Sequence, residues 1–237
     1  MGGRIRGEEH ARALRDHRAV NPKLRVAVLV SGHGSNLQAL IDACAAPQYP
    51  AEIVLVISNV PTAYAIQRAT AAGVAVKVID HQSFATREQF ETALLHELTG
   101  ARVDLVCLAG FMRVLSPIFL KGFRGQILNI HPSLLPAFPG LHAPRQALLH
   151  GVKITGCTVH FVDEATDGGP ILVQAAVPVL PGDTEATLAD RIHLEEHRIY
   201  PMAVRWIASR LVATEGRRTI VEAKPAVSGL SLFNPGS

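Results

Sequence analysis

The sequence has few cysteines and no long apolar run, and each shortage excludes a class of protein. Only three cysteines, Cys44, Cys107 and Cys157, occur among 237 residues, and they are widely spaced. Without a C-x-x-C pair, a zinc knuckle or a thioredoxin-type site is not indicated, and an odd count fits a reducing compartment. No apolar run is long enough to span a membrane, and the charged amino-terminal residues do not resemble a secretory signal. We therefore expect a cytoplasmic protein without a membrane partner.

The chain also lacks a strong charge of either sign. Its formal net charge is +3, and the basic excess is concentrated in the first 25 residues. A charge this small does not favour a nucleic-acid groove, so we expect small-molecule substrates and no nucleic acid. Apolar residues make up 48% of the sequence and charged residues 18%, which is typical of a globular protein with an ample core.

Apolar, β-branched runs alternate with stretches of helical periodicity through the first half of the chain. Strands are predicted over residues 24–30, 53–57, 74–79, 103–108 and 126–130, with helices over 37–46, 64–72 and 84–98 between the first four. This alternation predicts an α/β fold with a mostly parallel sheet and helices on both faces. After Pro132 a proline-rich loop leads to a helix near 145–150, a strand pair at 153–162 and 171–179, taken as antiparallel, and a helix at 184–209.

The domain organisation is predicted to have three parts. Residues 1–22 are charged and end in Asn21-Pro22, which indicates a flexible or weakly helical extension; an over-long start-site assignment is the alternative. Residues 23–215 form the α/β domain. Residues 216–237 are predicted to be a partly frayed tail, because glycine and proline recur there.

Residues 31–36, Ser-Gly-His-Gly-Ser-Asn, connect the first predicted strand to the first helix. Open α/β sheets bind ligands at this position, and the N–H groups at a helix start attract anions. The loop has neither the G-x-G-x-x-G fingerprint of dinucleotide sites nor the G-x-x-x-x-G-K-[ST] loop of triphosphate sites. A phosphate monoester fits better, and a plain strand–helix turn is the alternative.

A second candidate site lies at the end of the fifth predicted strand. Asn129 and His131 are two residues apart, so they face the same side of the strand. An amide donor can stabilise the oxyanion that forms when an amine attacks a formamide carbonyl, and an imidazole can move the protons. The pair therefore favours acyl transfer to an amine. For His131 alone, a structural histidine before a proline turn is the alternative.

Two loops are candidates for lining the same site. Residues 109–115 are largely apolar and follow the fourth strand, which suits a pocket for a flat ring, although ordinary core packing is the alternative. Residues 163–170 carry three carboxylates, and a carboxylate brought to His131 would orient and stabilise the charged imidazole. The pattern of this loop does not show that the two residues meet, and a solvated turn is the alternative.

A metal site is disfavoured. The acidic loop lacks the ligand spacing of an EF-hand, and the eleven histidines include no H-E-x-x-H pattern. His193 and His197 are four residues apart on a predicted helix, but the other histidines are dispersed. We therefore expect no metal to be required.

Six stretches together resemble the folate-dependent phosphoribosylglycinamide formyltransferase family. They are the loop 31–36, the run Leu-Ala-Gly-Phe-Met-Arg-Val-Leu-Ser-Pro at 108–117, Leu-Asn-Ile-His-Pro-Ser-Leu-Leu-Pro at 128–136, Pro-Gly-Leu-His at 139–142, Val-His-Phe-Val at 159–162, and Asp-Gly-Gly-Pro at 167–170. They follow one another in the family's order over about residues 24–211. The resemblance implies a Rossmann-like formyltransferase domain acting in purine synthesis, with 10-formyltetrahydrofolate as the formyl donor and glycinamide ribonucleotide as the acceptor. A homodimer is suggested by the resemblance alone.

The resemblance also implies a role for individual residues. The catalytic residues would be Asn129, His131 and Asp167, with the first two stabilising the oxyanion and Asp167 supporting the charged imidazole. The residues that bind the ribonucleotide would be Gly34, Ser35, Asn36 and Glu196. The residues that bind the folate would be Arg87, Met112, Arg113, Val114, Leu115, Asn129, Asp163, Glu164, Ala165, Thr166 and Asp167. His33 occupies the variable position of the first loop, and neither the first 22 residues nor the tail after Arg217 carries a usable family motif.

Three other functions compete with this interpretation. A methionyl-tRNA formyltransferase would need an RNA-binding domain after the catalytic one, and the residues after the long helix are too few and not basic enough. A formyl-folate hydrolase would carry a regulatory domain in front, and 22 residues cannot fold into one. A non-catalytic phosphosugar sensor would keep the first loop but would not need the Asn129/His131 pair.

Overall fold

The computed structural model describes residues 22–222. It contains nine strands: β1 (Leu24–Val30), β2 (Ala51–Ser58), β3 (Val76–Val78), β4 (Leu105–Leu108), β5 (Gln126–His131), β6 (Ile154–Phe161), β7 (Ile171–Pro178), β8 (Val212–Glu215) and β9 (Arg218–Val221). The six α-helices are α1 (Ser35–Cys44), α2 (Ala65–Ala71), α3 (Arg87–Gly100), α4 (Pro117–Gly122), α5 (Ala143–Leu149) and α6 (Glu185–Ala208). Residues His81–Ser83 form a short 3-10 helix.

Seven strands form one sheet in the order β3-β2-β1-β4-β5-β6-β7. The first five strands along the chain pair in parallel, whereas β5 with β6 and β6 with β7 pair antiparallel. The predicted fold class is therefore confirmed, including the antiparallel pair near the carboxyl end. Because the strand order turns back between β1 and β4, the carboxyl ends of these two strands open a crevice at the edge of the sheet where ligands bind.

Both faces of the sheet are covered, as the alternation of side chains along β1 requires. Val28 belongs to a core shared with α1 and α6, whereas its neighbour Leu29 belongs to a second core on the opposite face, shared with α3 and α4. Tyr200 of α6 is fully buried in the first core, and its hydroxyl donates to the carbonyls of Leu108 (3.0 Å) and Leu128 (3.2 Å). Helix α6 is thereby fixed against the ends of β4 and β5, where the candidate site lies.

The structure contains a short helix and a strand hairpin that the sequence patterns did not predict. Helix α4 is a short helix in residues for which no element was predicted, and Ser116 caps it by accepting from the Phe119 N–H at 3.2 Å. Strands β8 and β9 form an antiparallel hairpin across the predicted domain boundary at residue 215, so residues 216–222 belong to this hairpin and not to a frayed tail. The predictions for residues 1–21 and 223–237 lie outside the described residues. Between residues 22 and 222, no helix is both long and apolar enough to cross a membrane.

Candidate active site

The predicted catalytic residues meet at the carboxyl end of β5. His131 Nδ1 lies 3.4 Å from Asp167 Oδ2, and Asn129 Nδ2 lies 3.5 Å from Asp167 Oδ1. The side chains of His131 and Asp167 are only 6% and 11% exposed, so their interaction is little screened by water. The structure therefore supplies the contact that the spacing of the sequence could not place. The side chains of Asn129 and His131 thus both contact the carboxylate of Asp167.

The loop between β5 and α5 closes over this group. The Phe138 carbonyl lies 2.9 Å from His131 Nε2, and the Gly140 N–H donates to Asp167 Oδ2 at 2.8 Å. Both ring nitrogens of His131 therefore face oxygen acceptors. A protonated imidazole can donate to both at once, which is the form that can also stabilise an oxyanion.

His160 on β6 orients the amide of Asn129. The two residues are directly paired across the antiparallel β5–β6 ladder, and Asn129 Nδ2 lies 3.2 Å from His160 Nε2. His160 Nδ1 lies 2.9 Å from the carbonyl of Phe161, which makes Nδ1 the donor and leaves Nε2 to accept from the amide. Burial lowers the pKa of His160 below that of an ordinary histidine, which favours this neutral form. We did not predict His160 as a site residue, because a cross-strand pairing is not visible in a single strand's sequence.

The loop at residues 31–36 is shaped by Gly34. Its φ of +77° lies in the left-handed region, and a Cβ there would lie 2.7 Å from Ala65 Cβ on α2. Gly34 is also the N-cap residue of α1 and supplies no side-chain cap, so the first N–H groups of the helix remain available to an anion. Arg68 of α2 braces the same loop, since its Nε donates to the carbonyl of His33 at 3.0 Å.

Asn36 and Glu196 join this loop to α6. The side-chain Nδ2 of Asn36 donates to Glu196 Oε2 at 2.8 Å, so this side-chain donor is already hydrogen-bonded. The backbone N–H of Asn36 is therefore the donor that remains for an anion. Burial raises the pKa of Glu196 above that of an ordinary glutamate, while the hydrogen bond from Asn36, then the charges of His193 and His131, oppose the shift. Asn36 Oδ1 is buried and has no hydrogen-bond partner within residues 22–222. Asn36 and Glu196 can therefore still form hydrogen bonds with polar groups of a ligand.

An open cavity of about 700 Å³ lies between the first loop, the end of β4 and α6. Its lining includes residues 31–36, Ala109, Gly110, Met112, Asp190, His193, Leu194 and His197. His193 and His197 stack with their ring centroids 6.3 Å apart, and burial lowers the pKa of His197. Arg68 lies close enough to His197 to contribute to this shift. Arg68 thus supplies a cationic side chain beside the helix start, whereas the lowered pKa of His197 favours its neutral form.

The predicted folate-binding residues occupy two segments at the same edge. Met112 and Val114 are 65% and 62% exposed, whereas Leu115 is buried. Arg87 donates to the carbonyl of Val114 and forms an ion pair with Glu91 at 3.0 Å, so it holds the Met112–Leu115 segment in place. Exposed apolar side chains on a segment held by Arg87 are a suitable wall for an aromatic ring.

The second folate segment is the loop that carries Asp167. Asp163 caps its start by accepting from the Ala165 N–H at 2.9 Å, whereas Glu164, Ala165 and Thr166 are exposed. Asp167 itself has a φ of +53°, an uncommon conformation for a residue other than glycine. The loop therefore directs one carboxylate inward and leaves the three residues before it open to a ligand. Across the part of the chain that the structure describes, no group of three or more potential ligands could hold a metal ion.

An open, mostly parallel sheet with an amide, an imidazole and a carboxylate at its carboxyl edge, near a helix start whose N–H groups are open, is the arrangement of an α/β group-transferring enzyme. The chain is 57% identical over 187 residues to the trifunctional purine biosynthetic protein adenosine-3 of Drosophila melanogaster, which covers 78% of this chain and 14% of that protein. It is 46% identical over 185 residues to the phosphoribosylglycinamide formyltransferase of Escherichia coli (strain K12), covering 78% of this chain and 87% of that one. The crystal structure of glycinamide ribonucleotide transformylase 1 from Symbiobacterium toebii aligns with a TM-score of 0.82 at 52% identity, covering 84% of this chain and 94% of that one.

Residues 24–204 match the model of the family described as formyl transferase. The chain belongs to this family. The predicted resemblance to phosphoribosylglycinamide formyltransferases is confirmed. The chain spans 14% of the length of the trifunctional protein of Drosophila melanogaster.

Proposed function

We propose that this protein transfers the formyl group of 10-formyltetrahydrofolate to the amine of glycinamide ribonucleotide, in purine biosynthesis. The proposal rests on the contacts among Asn129, His131 and Asp167, near the N-terminus of α1, whose first N–H groups are open to a phosphate. The relatives from Escherichia coli and Symbiobacterium toebii act, by their names, on glycinamide ribonucleotide, which supports a site for this acceptor.

The phosphate of the acceptor would bind at the start of α1. The N–H groups of Ser35 and Asn36 and the Ser35 hydroxyl are donors there, and Gly34 allows the close approach of an anion. Glu196 lies deeper, beside Asn36, and would accept from a ribose hydroxyl. The cavity between the loop and α6 provides the room for the phosphosugar.

The chemistry would proceed by direct attack of the neutral amine on the formyl carbon. A C–N bond forms to the amine, negative charge develops on the formyl oxygen, and the bond from the formyl carbon to N10 of the folate then breaks. The amine loses one proton and N10 gains one, so the exchange is balanced without a covalent enzyme intermediate. Asn129 and protonated His131 would donate to the oxyanion, His131 with water would relay the proton, and Asp167 would support the charged imidazole.

One rearrangement is built into this mechanism. His131 Nε2 faces the Phe138 carbonyl and Nδ1 faces Asp167, so neither nitrogen is free in the present arrangement. The formyl oxygen would therefore replace the Phe138 carbonyl at Nε2, while Asp167 retains its contact with Nδ1. The folate ring system would lie against Arg87, Met112, Arg113, Val114 and Leu115, with residues 163–167 closing over its pterin.

An absorbance assay of folate deformylation, run with and without glycinamide ribonucleotide, tests the proposal. Turnover that depends on the ribonucleotide is the expected result. Equal turnover without the ribonucleotide would show that the protein is a hydrolase and not a transferase. Binding of the ribonucleotide with no deformylation under either condition would leave a phosphosugar sensor.

A further inference from the structure

The hairpin of β8 and β9 contacts the loop that carries Asp167. Arg217, in the turn of the hairpin, donates from Nη2 to the carbonyl of Gly168 at 2.7 Å. Thr219 of β9 donates from its hydroxyl to the carbonyl of Ile171, at the start of β7, at 2.5 Å. Both contacts bind the side of the loop that follows Asp167. The hairpin lies beyond residue 204, where the match to the family model ends.

The two ends of this loop are held very differently. On the carboxyl-terminal side, Gly169 packs so closely under the Phe161 carbonyl that a Cβ would lie 1.9 Å from that oxygen. On the amino-terminal side, Glu164 is held by an ion pair with Lys121 at 3.5 Å in which both side chains are largely exposed. Exposed ion pairs of this kind add little stability. The hairpin adds two hydrogen bonds on the side of the loop that follows Asp167, to the carbonyls of Gly168 and Ile171.

Asp167 needs such support because its own geometry is demanding. Its φ of +53° is uncommon for a residue with a side chain, and its carboxylate must reach His131, Asn129 and the Gly140 N–H together. A shift of the neighbouring peptide would move the carboxylate away from His131. A displacement near 1 Å can lower a rate by roughly a hundredfold, so a small change in the loop would be visible in turnover.

We propose that Arg217, assisted by Thr219, is a positioning residue that holds the Asp167 loop in its active geometry. The proposal rests on the proposed function for its catalytic part. Its structural part, that the hairpin restrains residues 163–170, stands independently. Arg217 does not contact His131 or Asn129 within the described structure, so its effect would pass through the peptide that joins Asp167 to Gly168.

Three variants separate this role from general stability. Arg217→Ala removes the donor to Gly168, and Thr219→Val removes the hydroxyl while keeping a β-branched residue in β9. Arg218→Ala is the matched control, because Arg218 is the adjacent residue of the same hairpin, and its side chain has no hydrogen bond or ion pair in the range 22–222. Each arginine variant changes the net charge equally. If Arg217→Ala fails to fold, Arg217→Lys and Thr219→Val still test the contact.

The experiment measures hydrogen exchange of peptides covering residues 163–170, together with kcat and KM for both substrates, at a temperature well below unfolding of every variant. In Arg217→Ala we expect faster exchange in this loop than in Arg218→Ala, and a roughly tenfold lower kcat with little change in the KM of the ribonucleotide. Thr219→Val should show a smaller change in the same direction. Arg217→Ala with the exchange and kcat of Arg218→Ala would overturn the proposal, and so would faster exchange at unchanged kcat in an active enzyme.

The exchange measurement also distinguishes the two proposals from each other. If the wild-type protein does not formylate glycinamide ribonucleotide, the proposed function fails, and the difference in exchange between Arg217→Ala and Arg218→Ala still decides whether the hairpin holds the loop. If the wild-type protein is active and both variants exchange and turn over alike, only the positioning role of Arg217 fails.

Discussion

His131 Nδ1 and Asp167 Oδ2 lie 3.4 Å apart, although His131 is the last residue of β5 and Asp167 lies in the loop between β6 and β7. The same Asp167 carboxylate accepts from the Gly140 N–H and lies next to the Asn129 amide. One buried carboxylate therefore fixes an imidazole, an amide and the loop that covers both. The consequences of this arrangement can be measured one residue at a time.

Ser35→Ala should weaken binding of the ribonucleotide and leave the folate unaffected. Ser35 is the first residue of α1, and its hydroxyl can donate to a charged phosphate at the open helix start. Because a hydrogen bond to a charged group contributes about 1.5–3 kcal/mol, the KM of the ribonucleotide should rise about tenfold or more. Steady-state kinetics with both substrates checks this, with Ser209→Ala at the far end of α6 as the control. An unchanged KM in Ser35→Ala would remove the loop from the phosphate site.

His160→Phe should lower kcat without a matching change in either KM. The substitution removes the nitrogen that faces the Asn129 amide at 3.2 Å, so the amide loses the partner that sets its orientation. A neutral hydrogen bond contributes about 1 kcal/mol, and kcat should fall by a factor of about five to ten. His96→Phe, at a histidine whose side chain is 83% exposed, is the control. Equal kcat in the two variants would contradict a role for His160 in orienting Asn129.

The stability contributed by His160 should disappear in acid. Its folded-state pKa is lowered by burial, so the folded protein binds fewer protons than the unfolded chain. The contribution is therefore present above the unfolded pKa of about 6.5 and is lost as the pH falls through the lower folded pKa. The free energy of unfolding, measured by urea titration from pH 7.5 to 5, should fall less steeply in His160→Phe than in the wild type. Parallel curves would show that His160 is not the titrating group.

Glu196→Gln should stabilise the protein without ligand at alkaline pH. Burial raises the folded-state pKa of Glu196, so its contribution is favourable below the unfolded pKa of about 4.3 and is lost as the pH rises through the higher folded value. The glutamine keeps an acceptor for the Asn36 amide but carries no charge. Thermal unfolding should give a higher Tm for Glu196→Gln than for the wild type at pH 8, and a smaller difference at pH 5. A lower Tm at pH 8 would contradict this account of the buried carboxylate.

The sequence was sufficient to predict the main sheet and the shared orientation of Asn129 and His131. The β-branched runs predicted the strands to within a few residues, and the spacing of Asn129 and His131 correctly placed both residues on one face at the end of β5. Each of these features is local, since it depends on periodicity within one segment.

The features that the residue patterns alone did not predict depend on contacts between distant segments. His160 becomes part of the site only through its pairing with Asn129 across the β5–β6 ladder. Asp167 reaches His131 through the left-handed turn of its loop, and no pattern in the acidic stretch predicts where that turn points. The hairpin at residues 212–221 was read partly as a frayed tail, because its glycine turn resembles loop sequence until its bonds to Gly168 and Ile171 are seen.

We propose that Asp167 supports the charged His131 in catalysis and does not bind the ribonucleotide. The most direct test of this proposal is to measure, for Asp167→Asn, both single-turnover formyl transfer to glycinamide ribonucleotide and the Kd of that ribonucleotide. Asp42→Asn, at an exposed carboxylate of α1, is the control. We expect Asp167→Asn to lower the transfer rate by at least about a hundredfold while the Kd changes by less than about twofold, because general acid–base catalysis contributes on the order of 10²–10⁴ in rate. Transfer at the rate of Asp42→Asn would contradict the proposal.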